Sequence, residues 1–229
     1  MSLDWMGVMR EVVQRDEGAL QWDFAEKWVQ AEMFSRLMSQ SQAAGLEVLE
    51  SEPPYATWFP VVKPKVDGPA TKWADLCVTS ERRRHWWWIE LKVRRASTAG
   101  RATEAMKSAR RAFAEDIVAL LGFDADATIQ KWREPARWES SWWTTTRLGP
   151  LREHLKFGQQ HFVSIFLHTG AAIPWSVESI EAETSTWARV RNVRNRPLPR
   201  IRFRPAEILR SHGVQVVEWS LPMNGQDCD

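Results

Sequence analysis

Cysteine is nearly absent: the 229-residue chain has two, Cys77 and Cys228. That excludes a disulfide framework and a cysteine-based zinc site. Tyrosine is rarer still, with one residue, Tyr55. No apolar run approaches the roughly 20 residues needed to cross a bilayer. The N-terminal stretch lacks the layout of a secretory signal, so a soluble, cytoplasmic protein with no membrane partner is expected. There is no glycine-rich phosphate loop and no G-x-S-x-G elbow, which argues against an NTPase or hydrolase of those types. The five histidines, His85, His154, His161, His168 and His212, show no helix metal-motif spacing. His161 and His168 are an odd number of positions apart and so face opposite sides of a strand. No internal repeat, helix-turn-helix or zinc finger is present. A net charge of +2 rules out a uniformly basic coat but leaves room for a local basic groove.

What is abundant is equally telling. Apolar residues make up 44% and charged residues 26%, enough for a real core in one large domain. Tryptophan is used 15 times, some of it for core and some available to stack on a ligand. Arginine dominates the cations, with dense runs at 82–84, 94–95, 110–111 and 189–204. The informative stretch is KWADLCVTSERRRHWWWIELKVR, ending at Arg94. Two apolar runs flank the polar cluster ERRRH, as in two strands joined by a turn. Asp75 lies at the start of the first run, and Glu90 and Lys92 lie inside the second. A carboxylate in such a strand is costly unless something pairs with it. Side chains alternate along a strand, so Glu90 and Lys92 share a face while Ile89, Leu91 and Val93 take the other. If Asp75 pairs across from Glu90, the three polar groups converge on one spot, an arrangement that suits a divalent cation and a polarised water.

The pattern Asp75, then Glu90-Leu91-Lys92 15 residues on, resembles the PD-(D/E)XK nuclease superfamily, the restriction-endonuclease-like fold. That family carries an acid at one strand end and acid-x-lysine on the next strand. Its proline is replaced here by Ala74. The resemblance implies an α/β domain with an αβββαβ core, a central mixed four-stranded sheet flanked by helices. It further implies a site in which Asp75, Glu90 and the Leu91 carbonyl hold Mg²⁺ or Mn²⁺ while Lys92 orients or polarises water. A glutamate of the first helix often completes such a site. Glu32 fits that place better than Glu26, which lies 6 residues earlier and on another helix face.

The remaining chain arrives in a compatible order. Residues 20–44 have helical periodicity, with Gly45 as a stop. Residues 46–52 alternate as a first strand, ended by Pro53-Pro54. Residues 55–70 form a short strand with turns or a loop over the site. A helix spans 103–121, in which Asp116 reads as structural rather than catalytic, and 161–168 is the next strand. The resemblance covers about 20–168. Residues 124–150 read as an insertion and 170–229 as a C-terminal extension with an added helix and strand, all within a single domain, 1–229. In the extension, 176–183 reads as helix or turn, 205–212 as a short helix and 214–219 as a strand. In the insertion, Trp142-Trp143 followed by three threonines could stack on bases or form a surface patch.

The expected function is therefore metal-dependent hydrolysis of nucleic acid, with DNA the favoured substrate. A homodimer fits that chemistry, since cutting both strands of a duplex usually takes two sites. The alternative is a catalytically inactive protein on the same scaffold, binding nucleic acid or a partner through its arginines and tryptophans.

Overall fold

A computed structural model of the chain describes residues 3–15, 18–21, 24–51, 53–57, 70–80, 84–95, 102–133, 152–169, 173, 175–191 and 199–221. The chain opens with helix α1 (Trp5–Arg15), which buries Trp5, Met9, Val12 and Val13 at helical spacing. Asp4 caps it, its Oδ1 accepting the Gly7 N–H at 3.0 Å. A short 3-10 turn (Ala19–Gln21) leads to α2 (Ala25–Ala44), which ends at Gly45 with φ 61°, the left-handed cap that glycine accommodates best. Strands β1 (Leu46–Ser51), β2 (Pro54–Thr57), β3 (Ala70–Trp73), β4 (Leu76–Ser80) and β5 (His85–Arg94) follow. Then come α3 (Ala102–Leu121), β6 (Phe123–Asp124), α4 (Ala125–Arg133), α5 (Arg152–Phe157), β7 (Gln159–His168) and α6 (Val177–Val190). Strands β8 (Arg202–Phe203), β9 (Glu207–Leu209) and β10 (His212–Leu221) close the described chain.

The main sheet has seven strands in the order β1-β4-β5-β7-β10-β8, with β9 also paired to β10. Pairs β1/β4, β4/β5 and β7/β10 are antiparallel and β5/β7 is parallel. A parallel pair cannot be closed by a tight turn, and α3 lies in the crossover between β5 and β7. One sheet face, with Val78, Ile89, Leu91 and Ile165, packs on α1 and α2 through Met9, Val13, Val29 and Met33. The other, with Cys77, Trp88, Phe162 and Phe166, packs on α3, α4 and α6 through Phe113, Ile117, Trp132 and Ile180. A second sheet, β3-β2-β6, stands apart from the first.

Most of the described tryptophans are core: Trp5, Trp86, Trp87, Trp88, Trp132 and Trp219 are buried. Trp142 and Trp143 lie outside the described residues, as do 58–69 and 192–198. Among the described residues no helix is long and apolar enough to cross a membrane.

The architecture departs from expectation in four places. The sheet is seven-stranded, not four-stranded, because β10 pairs with β7 over Gly213–Leu221 and itself carries β8 and β9, extending β1, β4, β5 and β7 by three strands. The first long helix starts at Ala25 rather than at 20, after the 3-10 turn. β1 ends at Ser51, ahead of the two prolines as expected, but Pro54 itself opens β2, a strand-start position where proline's missing N–H costs no internal ladder bond. Residues 205–212 are not a helix. Leu209 pairs with His212 across a two-residue turn in which Arg210 has φ 55°, and Glu207 and Ile208 pair with β10, so cross-strand bonding overrides local helix preference.

Candidate active site

The β4–β5 register decides the geometry. Leu76 faces Ile89, the last paired position, and Asp75 is the residue just before β4, close enough to Glu90 for its charge to act on that carboxyl. The Asp75 N–H donates to the Ile89 carbonyl at 2.9 Å. Glu90 and Lys92 alternate with Leu91 along β5 and take the α3 side of the sheet with Trp88, while the Asp75 carboxylate lies at the β5 edge beside them. The three chemistry-bearing residues therefore lie within electrostatic reach of one another.

Strand β4 reaches only to Leu76, and past that position the β5 edge is satisfied by carboxylates instead of a strand. Asp75 Oδ2 accepts the Leu91 N–H at 2.6 Å and Glu26 Oε2 accepts the Val93 N–H at 3.0 Å. The N–H and C=O of one strand residue point to the same edge, so the Leu91 carbonyl faces this same gap. Helix α2 is tied down beside it by Gln30, whose Nε2 donates to the Asp75 carbonyl at 2.7 Å. The second sheet reaches in from the other side. Tyr55 Oη on β2 donates to Glu90 Oε1 at 3.0 Å. From α3, Asp116 places Oδ2 3.6 Å from Lys92 Nζ and Oδ1 4.0 Å from Lys72 Nζ. Glu26 Oε1 lies 3.8 Å from Lys92 Nζ.

Burial and crowding among the acids shift five of these groups, Asp75, Glu90, Asp116, Lys92 and Tyr55. Burial raises the Asp75 carboxyl from its ordinary 3.8 to about 6; the Leu91 N–H works against this and the Glu26 charge adds to it. Glu90 is driven well above the usual carboxylate range by burial and by the Asp116 and Asp75 charges. Asp116 is raised by burial, with Lys92 and Lys72 opposing. For Lys92, burial disfavours the ammonium, but Asp116 and Glu26 outweigh it and raise its pKa above 10.5. The Tyr55 hydroxyl is raised by burial and by Glu90. Four carboxyl groups, Asp75, Glu90, Asp116 and Glu26, thus crowd against the Lys92 and Lys72 ammonium groups, with Lys27 also acting on Asp75, and the buried Asp116 Oδ2 has no hydrogen-bond partner.

No family model, curated protein or solved structure matches this chain.

The residues singled out in the sequence fare differently. Asp75, Glu90, Lys92 and the Leu91 backbone are brought together. Glu32 is not: its Oε2 pairs with Arg15 at 3.2 Å on the side of α2 turned to α1. Six residues are about 600° of helix, so Glu26 and Glu32 point some 120° apart. Because α2 starts at Ala25, its first turn lies at the β5 edge, and Glu26 is the glutamate that reaches the site. Asp116 also belongs to the cluster. Its signal was present, since it interrupts the apolar stripe of Phe113, Ile117 and Leu120 at helical spacing. Tyr55 and Lys72 carried only weak signals: Tyr55 is the sole tyrosine, and Lys72 lies three residues before Asp75.

Among the described residues no three His, Cys, Asp or Glu side chains form a ready cation cage. A small hard cation does not require one. Magnesium keeps several waters and takes one or two carboxylates, and the neighbouring Asp75 and Glu90 carboxyls beside a strand carbonyl are a donor set of that type. The surplus of carboxyl over ammonium groups points to the same charge complement. The residues present fit Mg²⁺ or Mn²⁺.

Proposed function

We propose that the chain is a metal-dependent nuclease of the PD-(D/E)XK kind, hydrolysing phosphodiester bonds of nucleic acid, with DNA the expected substrate. The observation that carries this reading is the gathering of Asp75, which accepts the Leu91 N–H, with Glu90 and Lys92 at one place on β5. The succession α2, β1, β4, β5, α3, β7, with β5 and β7 parallel, supports a restriction-endonuclease-like core.

Asp75, Glu90 and the Leu91 carbonyl would hold the cation. When bound, the cation offsets phosphate charge, stabilises the leaving oxygen and acidifies water. The Leu91 N–H fixes one Asp75 oxygen, and Tyr55 Oη fixes one Glu90 oxygen, so each carboxylate presents its second oxygen in a set direction. Because ligand carboxylates must be ionised, Glu90 gives up a proton as the site loads. Lys92 stays an ammonium under the influence of Asp116 and Glu26. It therefore acts as a cationic donor from Nζ, toward water or a phosphoryl oxygen, and not as a general base.

The test is incubation with labelled single- and double-stranded DNA and RNA, with and without Mn²⁺. Metal-dependent cleavage that is lost in Glu90→Ala and Lys92→Ala, both still folded by circular dichroism, supports the reading. Cleavage that persists in Lys92→Ala refutes it. Salt-sensitive nucleic-acid binding with no cleavage by the wild type assigns the chain to the inactive, binding alternative instead.

A further inference from the structure

Resting on that reading, we propose that Lys72 is a second substrate-binding cation of the site, a clamp for a backbone phosphate next to the one that is cut. Lys72 comes from β3 of the second sheet, not from the hairpin that carries Asp75, Glu90 and Lys92. Its orientation is fixed independently of its own contacts. Lys72 pairs with Tyr55 across β2 and β3, directly paired residues present their side chains to one face, and Tyr55 on that face touches Glu90.

Asp116 stands between the two lysines, one oxygen toward each, at 4.0 Å from Lys72 Nζ and 3.6 Å from Lys92 Nζ. These are ion-pair lengths and exceed ordinary hydrogen-bond lengths, so neither ammonium is locked into one donor geometry by the acid. Side-chain exposure grades outward, from 16% at Asp116 through 21% at Lys92 to 30% at Lys72. Lys72 is thus the more open cation, with Lys92 deeper beside the acids. A polyanion approaching the acids needs positive charge in advance of them, and Lys72 is placed to supply it. Asp116 holds one ammonium group beside each of its two oxygens, so that each can meet a different phosphate. The ligand this selects is a phosphodiester chain of at least two phosphates.

The experiment measures binding of a fluorescein-labelled DNA oligonucleotide to the full chain by anisotropy, without divalent metal, across a salt series. Cleavage kinetics with Mn²⁺ are run alongside. Lys72→Ala should weaken binding roughly 5–10-fold at low salt and reduce the slope of log affinity against log salt by about one. KM should rise while kcat stays near wild type, and Lys72→Arg should restore most of the affinity. Lys72→Gln, which keeps the side chain's length, guards against loss of fold and should behave like Lys72→Ala. If wild-type protein binds and cuts while both neutral variants keep its salt slope and KM, Lys72 is only an ion-pair partner of Asp116 and the clamp is overturned. Wild-type protein that neither binds nor cuts any nucleic acid refutes the reading of the site, and the clamp falls with it.

Discussion

Replacing Asp75 by asparagine should stabilise the metal-free protein at neutral pH. The Asp75 carboxyl titrates at about 6 in the folded chain against an ordinary 3.8. A rise of about two units corresponds to ~3 kcal/mol of preference for the protonated form. The folded state therefore binds the Asp75 proton more tightly than the unfolded state. That contribution to stability is full below pH 3.8 and is lost as pH rises through about 6. Asparagine keeps the shape and an oxygen for the Leu91 N–H, now held at 2.6 Å, but never ionises. It forgoes the charge-assisted part of that bond, which leaves a net gain of ~1–3 kcal/mol. For a chain of this size each kcal/mol moves Tm by roughly 2–4 °C. Thermal melts of metal-free wild type and Asp75→Asn should thus separate at neutral pH, variant higher, and converge as pH falls toward 4. Saturating Mn²⁺ should raise the wild type and leave the variant unmoved. A variant that melts below wild type at neutral pH without metal, or a gap that does not change with pH, would refute the reasoning.

The helix acids give a paired prediction: Glu26→Ala should lower metal-dependent cleavage about 10–100-fold, as supporting groups around metal sites commonly do. Glu32→Ala should leave cleavage at the wild-type level and cost only ~1 kcal/mol through its Arg15 pair, so equal activity losses in the two would contradict the placement. At the far end of β5, His161 contacts His85 Nδ1 at 2.9 Å and Ser220 Oγ at 2.7 Å. Burial and His85 lower its pKa to about 4, so the unfolded chain takes up this proton first. The His161 contribution to stability should fall as pH drops from 6.5 toward 4, opposite in sign to that of Asp75, and His161→Gln should remove that component from the pH–Tm curve. An unchanged slope would remove His161 from the account. Tyr55→Phe should cost ~1–2 kcal/mol at this buried hydrogen bond and weaken Mn²⁺ binding, as read by titration; full affinity in the variant would show that Glu90 needs no such support.

The hairpin was legible because its signal is local. Period-two alternation alone puts Glu90 and Lys92 on one face, and antiparallel pairing across a short turn leaves few registers to choose from. What the sequence withheld was orientation between elements. Glu26 and Glu32 differ only in helix azimuth, and azimuth has meaning only once the sheet's position is known. The 3-10 turn before Ala25 shifted which turn of the helix meets β5. Asp116 looked like a misplaced polar residue on an apolar stripe because its partners, Lys72 and Lys92, come from two different sheets. The β9 segment carries Ala206, Glu207 and Leu209, residues with good helix propensity, and only its pairing with β10 reveals a strand. Helix α1 was readable in principle from Trp5, Met9, Val12 and Val13, whose spacing matches the helical repeat.

The most direct test of the central claim is a Mn²⁺ titration of the purified chain, followed by electron paramagnetic resonance of the free ion, in wild type, Asp75→Ala, Glu90→Ala and Glu32→Ala. One saturable site in the wild type and in Glu32→Ala, abolished in Asp75→Ala and in Glu90→Ala, is the predicted result. Undiminished Mn²⁺ binding after loss of either strand carboxylate would contradict it.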